Sequence, residues 1–401
     1  MSLMPVAEAL QKLLSDVDTI DTEHVPLEQA NGRVLSQHLV SKRTQPPFAA
    51  SAMDGYAVRY QDISAGGAVL EVIGEASAGH GYSERVESRQ TVRIFTGAPL
   101  PDGADTILIQ ENAEREDSKI TVLEVPLQGA FVRPSGLDFQ EDQVLLEPPL
   151  KLTYRHLALA AAMNHPELPV VRRPKVAILA TGDELVRPGA DPGPDQIIAS
   201  NHAGIAGLVE DCGGFPLDLG ISPDDPVELA HHVRRAITEK ADILVTLGGA
   251  SVGDHDLVQD VLGQEGMDLA FWRIAMRPGK PLMAGRLGTT RVLGLPGNPV
   301  SSLVCGLLFL KPLIHRMLGS ASGATAPKHA ILGEDIPEND RRQDYVRSTL
   351  HEDTDGRLVA TPFSKQDSSM LALLARSGAL IVRPPHAPAL KAGSMVDVLV
   401  L

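Results

Sequence analysis

Short apolar runs typical of strands alternate with amphipathic helical segments from Pro174 to Gly319. This order predicts a parallel sheet with helices on both faces. Ligands of such sheets bind at the carboxyl ends of the strands. The predicted elements are strands over 176–180, 243–247 and 291–295, helices over 201–211 and from Pro226, and a long buried helix after the Pro296-Gly-Asn-Pro299 turn.

The flanking regions have a different pattern. Residues 69–146 give short β-rich pieces separated by turn residues, and residues 345–401 give a second β-rich set with an Asp355-Gly356 hairpin turn. Helices are predicted over 1–14 and 154–163. Segments rich in small residues and proline, at 166–174 and 320–328, are typical of linkers.

Composition limits the class of protein. A chain of 401 residues with 43% hydrophobic content is long enough for two to four domains. Its net charge of −15 argues against a general binder of nucleic acids or anionic membranes, which needs a basic face. The two cysteines, Cys212 and Cys305, fall in predicted buried helices, so we expect a reduced protein of the cytosol. We also expect neither a signal peptide nor a membrane span.

One loop suggests a ligand. Residues 246–256, Thr-Leu-Gly-Gly-Ala-Ser-Val-Gly-Asp-His-Asp, leave a strand through glycines and end in two carboxylates. Bare backbone N–H groups suit a phosphate, and carboxylates beside a phosphate repel it unless a divalent metal lies between them. The loop therefore predicts a metal–phosphate site.

Acidic side chains also follow other strands, at Thr181-Gly-Asp-Glu184 and Pro223-Asp-Asp225. The alternative for each is helix capping: Asp225 with Pro226 and a Glu228 capping box, or Asp256 with Gln259. Several acidic loops on one rim would repel one another. They would also repel a phosphate, since a carboxylate 4 Å from a phosphate oxygen costs about 4 kcal/mol at an effective dielectric near 20. A bound divalent cation would remove that conflict.

Two segments suggest anion binding. Arg273, Arg277 and Lys280 occur within eight residues of an acidic chain, on a segment stiffened by Pro278 and Pro281. A solvated charged edge is the alternative. The turn at 296–299 places Asn298 and Ser301 at the positive end of a long helix, although a plain helix start with proline in its first turn would read the same way.

Other common chemistries lack support. No Gly-x-Gly-x-x-Gly follows a strand, and Gly279-Lys280 is followed by proline, so a dinucleotide fold or a Walker A loop is disfavoured. The histidines lack metal-ligand spacing, and no histidine partner for Ser251 or Ser301 is evident.

Six motifs, in this order, resemble the molybdopterin molybdenumtransferases, the family of the MoeA proteins and the gephyrin E domain. They are Ser51-Ala-Met-Asp-Gly-Tyr-Ala57, Thr96-Gly-Ala-Pro99, Thr181-Gly-Asp-Glu-Leu185, Gly248-Gly-Ala-Ser-Val-Gly253, Arg277-Pro-Gly-Lys-Pro281 and Leu295-Pro-Gly-Asn-Pro-Val300. The glycine loop also resembles the smaller molybdopterin adenylyltransferases.

The resemblance implies a multidomain α/β plus β fold with a central parallel, MogA-like molybdopterin-binding domain. It implies a discontinuous helical domain I, an inserted β-rich domain II and a small C-terminal β-barrel domain IV. The corresponding ranges are 1–45 with 141–171, 46–140, 172–322 for the α/β domain III, and 323–401.

The activity implied is Mg²⁺-dependent insertion of molybdate into adenylylated molybdopterin, with release of AMP. The resemblance further implies a cytoplasmic homodimer whose active site is shared between subunits. A molybdopterin adenylyltransferase and proteins that mature molybdoenzymes would be its partners. The dithiolene sulfurs belong to the substrate, consistent with a cysteine-poor chain.

The resemblance assigns the site residues by motif. It implies catalytic roles for Asp54 and Thr96, both from the partner subunit, and for Glu184, Asp224 and Asp256, the last three being metal ligands as well. The substrate-binding positions it implies are Gly248, Gly249, Ser251, Arg273, Arg277, Lys280, Pro296, Gly297, Asn298, Pro299, Ser301, Arg347 and Ser368.

Three departures from the family pattern bear on these roles. Ala49-Ala50 replaces a common Asp-Asn pair, Arg277 stands where lysine is common, and Asp367 replaces a common glycine beside Ser368. Two other functions stay open: a non-catalytic carrier of the pterin, and an adenylyltransferase that makes the activated pterin.

Overall fold

The computed structural model describes residues 3–249, 257–320 and 327–401. The chain forms two compact units, one of Met1–Glu23, Gly32–Val34 and Val170–Leu401, the other of His24–Asn31 and Leu35–Pro169. The α-helices of the described part are α1 (Val6–Leu14), α2 (Tyr60–Ile63), α3 (Tyr154–Ala162), α4 (Ser200–Asp211), α5 (Pro226–Thr238), α6 (Leu257–Gln264), α7 (Pro299–Cys305), α8 (Lys311–Met317) and α9 (Leu371–Ala375). A π-helical turn, Gly306–Leu310, joins α7 to α8, and 3₁₀ turns lie at Leu27–Gln29 and Gln110–Asn112.

The strands are short and numerous. In chain order they are β1 (Thr22–Pro26), β2 (Val34–Leu35), β3 (Leu39–Val40), β4 (Ala50–Ser51), β5 (Gly55–Val58), β6 (Val69–Ala76), β7 (Gln90–Ile94), β8 (Thr106–Ile109), β9 (Ala113–Glu116), β10 (Lys119–Val122), β11 (Val132–Arg133), β12 (Val144–Leu146), β13 (Leu150–Lys151), β14 (Glu167–Val171), β15 (Lys175–Thr181), β16 (Leu185–Val186), β17 (Ile197–Ile198), β18 (Phe215–Ser222), β19 (Ile243–Leu247), β20 (Asp268–Trp272), β21 (Met276–Arg277), β22 (Met283–Leu287), β23 (Thr290–Leu295), β24 (Lys328–Leu332), β25 (Gln343–Glu352), β26 (Leu358–Pro362), β27 (Ala379–Arg383) and β28 (Met395–Val400).

The centre of the first unit is a six-stranded sheet in the order β18-β15-β19-β23-β22-β20. Its strands β18, β15, β19 and β23 are parallel, which confirms the predicted parallel sheet, although the sequence pattern predicted no range for β18. The sheet also has an edge that the sequence pattern did not predict, because β22 and β20 continue it antiparallel. The shared carboxyl edge of the four parallel strands carries the loops after Thr181, Ser222, Leu247 and Leu295.

Both faces of this sheet are covered. Alternate residues of β15 point to opposite sides, so Ile178 joins the core formed with α1, α4, α7 and α8, while Leu179 joins the core formed with α5 and α6. The stretch Pro299–Met317 is long and apolar enough to cross a membrane, but most of it is buried inside the protein. It is the buried core helix that the sequence predicts.

Helix α5 shows how the sequence sets a helix start. The Asp225 carboxylate accepts from the N–H groups of Val227 and Glu228, at 2.9 and 3.0 Å, with Pro226 in the first turn. The predicted cap is therefore confirmed. The predicted capping box is wrong within the described part of the chain, because the Glu228 carboxylate makes no return bond to the Asp225 N–H.

The end of the chain forms a small barrel. Strands β25, β26, β24, β28 and β27 are neighbours in that order, and β27 pairs back to β25 to close the ring. This confirms the predicted C-terminal β-barrel. Strand β21 adds to the outer edge of β25 in parallel, with Met276 opposite Gln343 and Arg277 opposite Asp344.

The second unit is mainly β. Its largest sheet has six strands in the order β8-β5-β7-β6-β10-β9, and the helix α3 and short ladders β11-β4 and β12-β3 complete it. Two further sheets of the described chain are β1-β14-β2-β13 and the pair β16-β17. The β-rich character predicted for this region is confirmed, whereas the ranges predicted for domains I to IV stay a prediction.

Candidate active site

Three loops meet at the carboxyl edge of the parallel strands. The Gly182 N–H donates to the Ser222 carbonyl at 3.1 Å, and the Gly248 N–H donates to the Leu295 carbonyl at 3.1 Å. Gly248 has a φ of +102°, and a Cβ there would lie 2.7 Å from the Thr181 carbonyl oxygen. Only glycine permits this approach, so the glycines draw the loop after β19 onto the loop after β15.

The anion loop at the start of α7 lies beside these glycines. A Cβ on Gly297 would be 3.6 Å from the Gly248 Cα. The Asn201 side chain of α4 donates to the Gly297 carbonyl at 2.7 Å and so fixes the turn between β23 and α7. Bare backbone and a helix start therefore face the same space, an arrangement suited to a phosphate. Gly248, Gly249, Pro296, Gly297, Asn298, Pro299 and Ser301 all lie at this edge.

Carboxylates gather at the same edge. The Glu184 carboxylate folds back over Gly182, where a Cβ would come within 2.3 Å of its Oε2. The Asp224 N–H donates to Asp183 Oδ1 at 3.0 Å, which ties the loop after β18 to the loop after β15. Burial, together with the charges of Asp183 and Glu184, raises the pKa of Asp224. Its carboxylate therefore lies in a negative field that no described cation neutralises.

The predicted metal set is only partly described. Glu184 and Asp224 come together as expected, but Asp256, the third predicted ligand, and Ser251 lie outside the described residues. Within residues 3–249, 257–320 and 327–401, no group of three His, Cys, Asp or Glu side chains is arranged to hold a metal ion. The metal role of all three stays a prediction.

The three basic residues of segment 273–280 differ in the contacts that their side chains make. Arg277 forms ion pairs with Asp344 and, at 3.6 Å, with Asp340, and the hydrogen bond to Asp344 raises its pKa. The Arg273 guanidinium lies 3.8 Å from the centre of the Trp272 ring. Lys280 makes no side-chain hydrogen bond or ion pair with any other described residue.

A loop of the C-terminal barrel reaches the helix start. The Val300 N–H donates to the Ser368 carbonyl at 3.1 Å, which places Ser368 beside the first turn of α7. Asp367 accepts from the Ser369 hydroxyl at 2.6 Å and from its N–H at 2.9 Å, and these bonds lower the pKa of Asp367. The negative charge that replaces the family glycine is thus directed at Ser369.

Arg347 lies beneath this loop rather than on its surface. It is 1% exposed, and its guanidinium donates to the carbonyls of Asp367 and Met370, at 2.9 and 3.2 Å. The Gln366 amide accepts from the Arg347 N–H at 3.0 Å and donates to its carbonyl at 2.9 Å. The geometry therefore favours support of the loop over direct contact with a substrate.

In the second unit, Asp54 and Thr96 form a pair. Antiparallel pairing of β5 with β7 sets Gly55 opposite Ile94. The turn before Gly55, which carries Asp54, therefore adjoins the turn after Ile94, which carries Thr96. Asp54 Oδ1 accepts from the Thr96 N–H at 2.8 Å and from its hydroxyl at 2.7 Å, which lowers the pKa of Asp54. The two predicted residues are a preformed carboxylate–hydroxyl unit.

The prediction from sequence missed several supporting residues. Arg93, which lies over the rings of Tyr56 and Phe95, acts on Asp54 through its charge, and buried Thr181 carries a hydroxyl without a hydrogen-bond partner in the described structure. Thr181 ends a strand inside a motif, a signal that could have found it. Nothing in the sequence marks Asn201, Arg93 or Gln366, because each acts across a fold contact.

The chain matches three sequence models in succession: the MoeA N-terminal region (domain I and II) over residues 4–164, a probable molybdopterin binding domain over 177–316, and the MoeA C-terminal region (domain IV) over 329–401. A molybdopterin molybdenumtransferase of Nostoc sp. is 37% identical, with 100% of this chain and 93% of the relative covered. The chain belongs to the MoeA family.

Further comparisons agree with this membership. A molybdopterin molybdenumtransferase of Haemophilus influenzae is 33% identical over 99% of this chain and 98% of the relative. The crystal structure of a molybdopterin biosynthesis MoeA protein from Pyrococcus horikoshii, 29% identical, superposes with a TM-score of 0.86 and covers 100% of this chain and 99% of that one. The family resemblance and the fold class predicted from the sequence are confirmed.

The pKa of Asp224 generates a stability prediction. A raised pKa means that the fold prefers the protonated carboxyl, so this group stabilises the fold most below the ordinary value of 3.8 and loses that contribution as the pH rises through the folded pKa. Asp224→Asn should therefore stabilise the metal-free protein at pH 7, by less than about 1 kcal/mol because solvent screens the site. Thermal unfolding at pH 7 and pH 4 measures the gain, which should shrink at pH 4.

Asp191→Asn is the matched control, since it removes an exposed carboxylate of the same unit outside the cluster. Equal stabilisation by both variants would mean that general net charge, and not the local repulsion around Asp224, is responsible.

Proposed function

We propose that this chain inserts molybdate into adenylylated molybdopterin and releases the molybdenum cofactor and AMP. The observation that carries the proposal is the meeting of bare glycine backbone, a helix start and uncompensated carboxylates at one sheet edge. An anhydride of phosphate needs positioning and neutralisation of charge more than covalent chemistry. The names of the relatives support molybdopterin and molybdate as substrates, and the adenylylated form of the pterin is part of the proposal.

The residues present fit a divalent cation, for which we propose Mg²⁺. Glu184 and Asp224 offer the oxygen ligands that a hard cation prefers, and the raised pKa of Asp224 records a negative field that a cation would relieve. Asp256 would be the third ligand. When bound, the cation would neutralise charge developing on the phosphate oxygens. The amides near Gly248 and the α7 start would orient the pyrophosphate.

Subunit sharing is part of the proposal. Asp54 and Thr96 would complete the site of a partner subunit in a cytoplasmic homodimer. The lowered pKa of Asp54 makes its carboxylate a weak base, so its proposed role is to accept a hydrogen bond from a group of the substrate and not to remove a proton. A molybdopterin adenylyltransferase would supply the substrate, and proteins that mature molybdoenzymes would take the product.

The first test is release of AMP from adenylylated molybdopterin in the presence of molybdate and Mg²⁺. Wild type should release AMP, and Glu184→Gln and Asp256→Ala should each lower kcat about 100-fold, since each loses a proposed metal ligand. Binding without AMP release would favour the carrier, and adenylylation of free pterin from ATP would favour the adenylyltransferase. Mg²⁺-dependent thermal stabilisation of wild type that Glu184→Gln lacks is the readout independent of turnover.

The partners of Arg277 and Lys280 predict different roles. Lys280, with no described partner for its charge, should hold molybdate, so Lys280→Ala should raise the KM for molybdate about tenfold, the value of a lost charge-assisted hydrogen bond. Arg277→Ala should mainly lower thermal stability, because it leaves Asp344 without its ion pair. AMP release at varied molybdate concentration measures the first effect. A larger KM change in Arg277→Ala would reverse the two roles.

Sharing of the site between subunits predicts complementation. Asp54→Asn and Asp224→Asn homodimers should each be inactive, whereas their mixture after subunit exchange should recover about a quarter of wild-type AMP release. Half of the dimers would then be mixed and each would hold one intact site. Two copies of Asp54→Asn with different tags are the control for exchange. No recovery despite exchange would place all five catalytic positions in one subunit's site.

A further inference from the structure

The turn formed by residues 276–280 packs directly on the end of helix α7. Gly279 in this turn has a φ of +114°, and a Cβ there would lie 2.5 Å from the Cys305 Sγ. Protein interiors do not hold atoms so close together, so the thiol leaves no room for a side chain at position 279. Cys305 is the last residue of α7 and is fully buried. The thiol and the turn are therefore in tight contact inside the protein.

This contact depends on packing and not on charge. Burial raises the pKa of the Cys305 thiol, so the thiol stays protonated at neutral pH. Its Sγ donates a weak hydrogen bond to the Gly279 carbonyl at 3.8 Å. The Met276 side chain fills the remaining space, since a Cβ on Gly279 would also lie 3.0 Å from the Met276 Cε. The turn thus rests on two sulfur-containing side chains, neither of which the proposed reaction uses.

Main-chain bonds fix both ends of the turn. The Ile274 N–H donates to the Lys280 carbonyl at 3.0 Å, which closes the turn on itself. On the side of the C-terminal barrel, the Gln343 N–H donates to the Ala275 carbonyl at 2.8 Å, and strand pairing sets Met276 opposite Gln343. Because the ends are held, a larger side chain beneath the turn must displace its tip.

We propose that Cys305 is a positioning residue that acts through Gly279 on Lys280, a proposal that rests on the proposed function. The volume of the side chain at position 305 sets the distance between the turn and α7. Gly279 directly precedes Lys280, so a displaced tip redirects the Lys280 side chain. A positively charged group that is displaced by about 1 Å loses much of its value in a site that depends on placement.

The position of Cys305 in the chain gives this contact a second consequence. Helix α7 begins at the Pro296-Gly-Asn-Pro299 turn, which is proposed to orient the phosphate, and ends at Cys305. The packing of Gly279 on Cys305 therefore sets the spacing between that turn and Lys280, which is proposed to hold molybdate. One buried contact aligns the two anion-binding parts of the site.

A change of volume at position 305 tests the proposal in the full chain. Cys305→Val adds a methyl group beneath Gly279, and a packed interior accommodates added volume poorly. It should raise the KM for molybdate about tenfold, the value of a lost charge-assisted hydrogen bond, with kcat retained. Cys305→Ala adds no volume and should keep the KM near that of wild type. Cys212→Val is the matched control, since Cys212 is the other buried cysteine of the same unit, and it should leave the KM unchanged.

Alkylation of Cys305 tests the same contact without turnover. In a Cys212→Ala background, iodoacetamide reaches the buried Cys305 thiol only when the turn opens locally. Molybdate alone should slow the alkylation, because an anion held by Lys280 keeps the turn on α7. Adding Lys280→Ala should remove this protection. Sodium chloride at equal ionic strength is the control for general screening of charge, and mass spectrometry measures the labelled fraction.

Three results would overturn the proposal: equal KM values for Cys305→Val and Cys212→Val, alkylation that molybdate does not slow, or protection that survives Lys280→Ala. Thermal unfolding shows whether Cys305→Val is folded, and if it is not, the alkylation experiment decides. If wild type releases no AMP while molybdate protects Cys305 through Lys280, the positioning role stands and the proposed reaction is wrong. If wild type releases AMP but molybdate gives no protection, the reaction stands and the positioning role is wrong.

Discussion

The site depends on a close approach of like charges. Glu184, Asp183 and Asp224 follow strands whose carboxyl ends meet, because β15 and β18 are parallel and, past a register shift after Ile178, end with Thr181 opposite Ser222. The backbone bond from Asp224 to the Asp183 carboxylate holds the cluster together, while burial and the neighbouring charges of Asp183 and Glu184 raise the pKa of Asp224. A cluster of carboxylates that perturbs the pKa of one of its members is typical of a functional site.

The basic residues differ in their hydrogen-bond and ion-pair partners, which a count of charges does not show. The Arg347 guanidinium donates hydrogen bonds to carbonyls of the 366–370 loop, and the Arg277 guanidinium forms an ion pair with Asp344. Both are contacts with or within the C-terminal barrel. The barrel thereby positions Ser368 against the start of α7, and of the three basic residues at 273–280 only Arg277 forms an ion pair with another described residue.

The sequence predicted what is local or periodic. The structure confirms predictions that depend on neighbouring residues alone. These are the strand and helix patterns, the Asp225 cap and the glycine turn at 248 and 249. Parallel pairing then follows from the order of elements, which is why the loops after Thr181, Leu247 and Leu295 could be expected together. The antiparallel edge β22-β20 was not predicted, because two short apolar runs joined by basic residues carry no clear period.

Hydrogen bonds between residues far apart in the chain could not be predicted from the sequence, for a physical reason. The bond from Asn201 to Gly297 joins residues 96 apart, and that from Arg347 to Met370 depends on a barrel strand and a loop meeting. A side chain's type fixes how many hydrogen bonds it can make, but only the fold decides whether neighbours have already taken them. Asp225 and Asp224 show this most directly, since the first is a helix cap and the carboxylate of the second accepts no hydrogen bond from another described residue. The second is the one whose chemistry is left for a ligand.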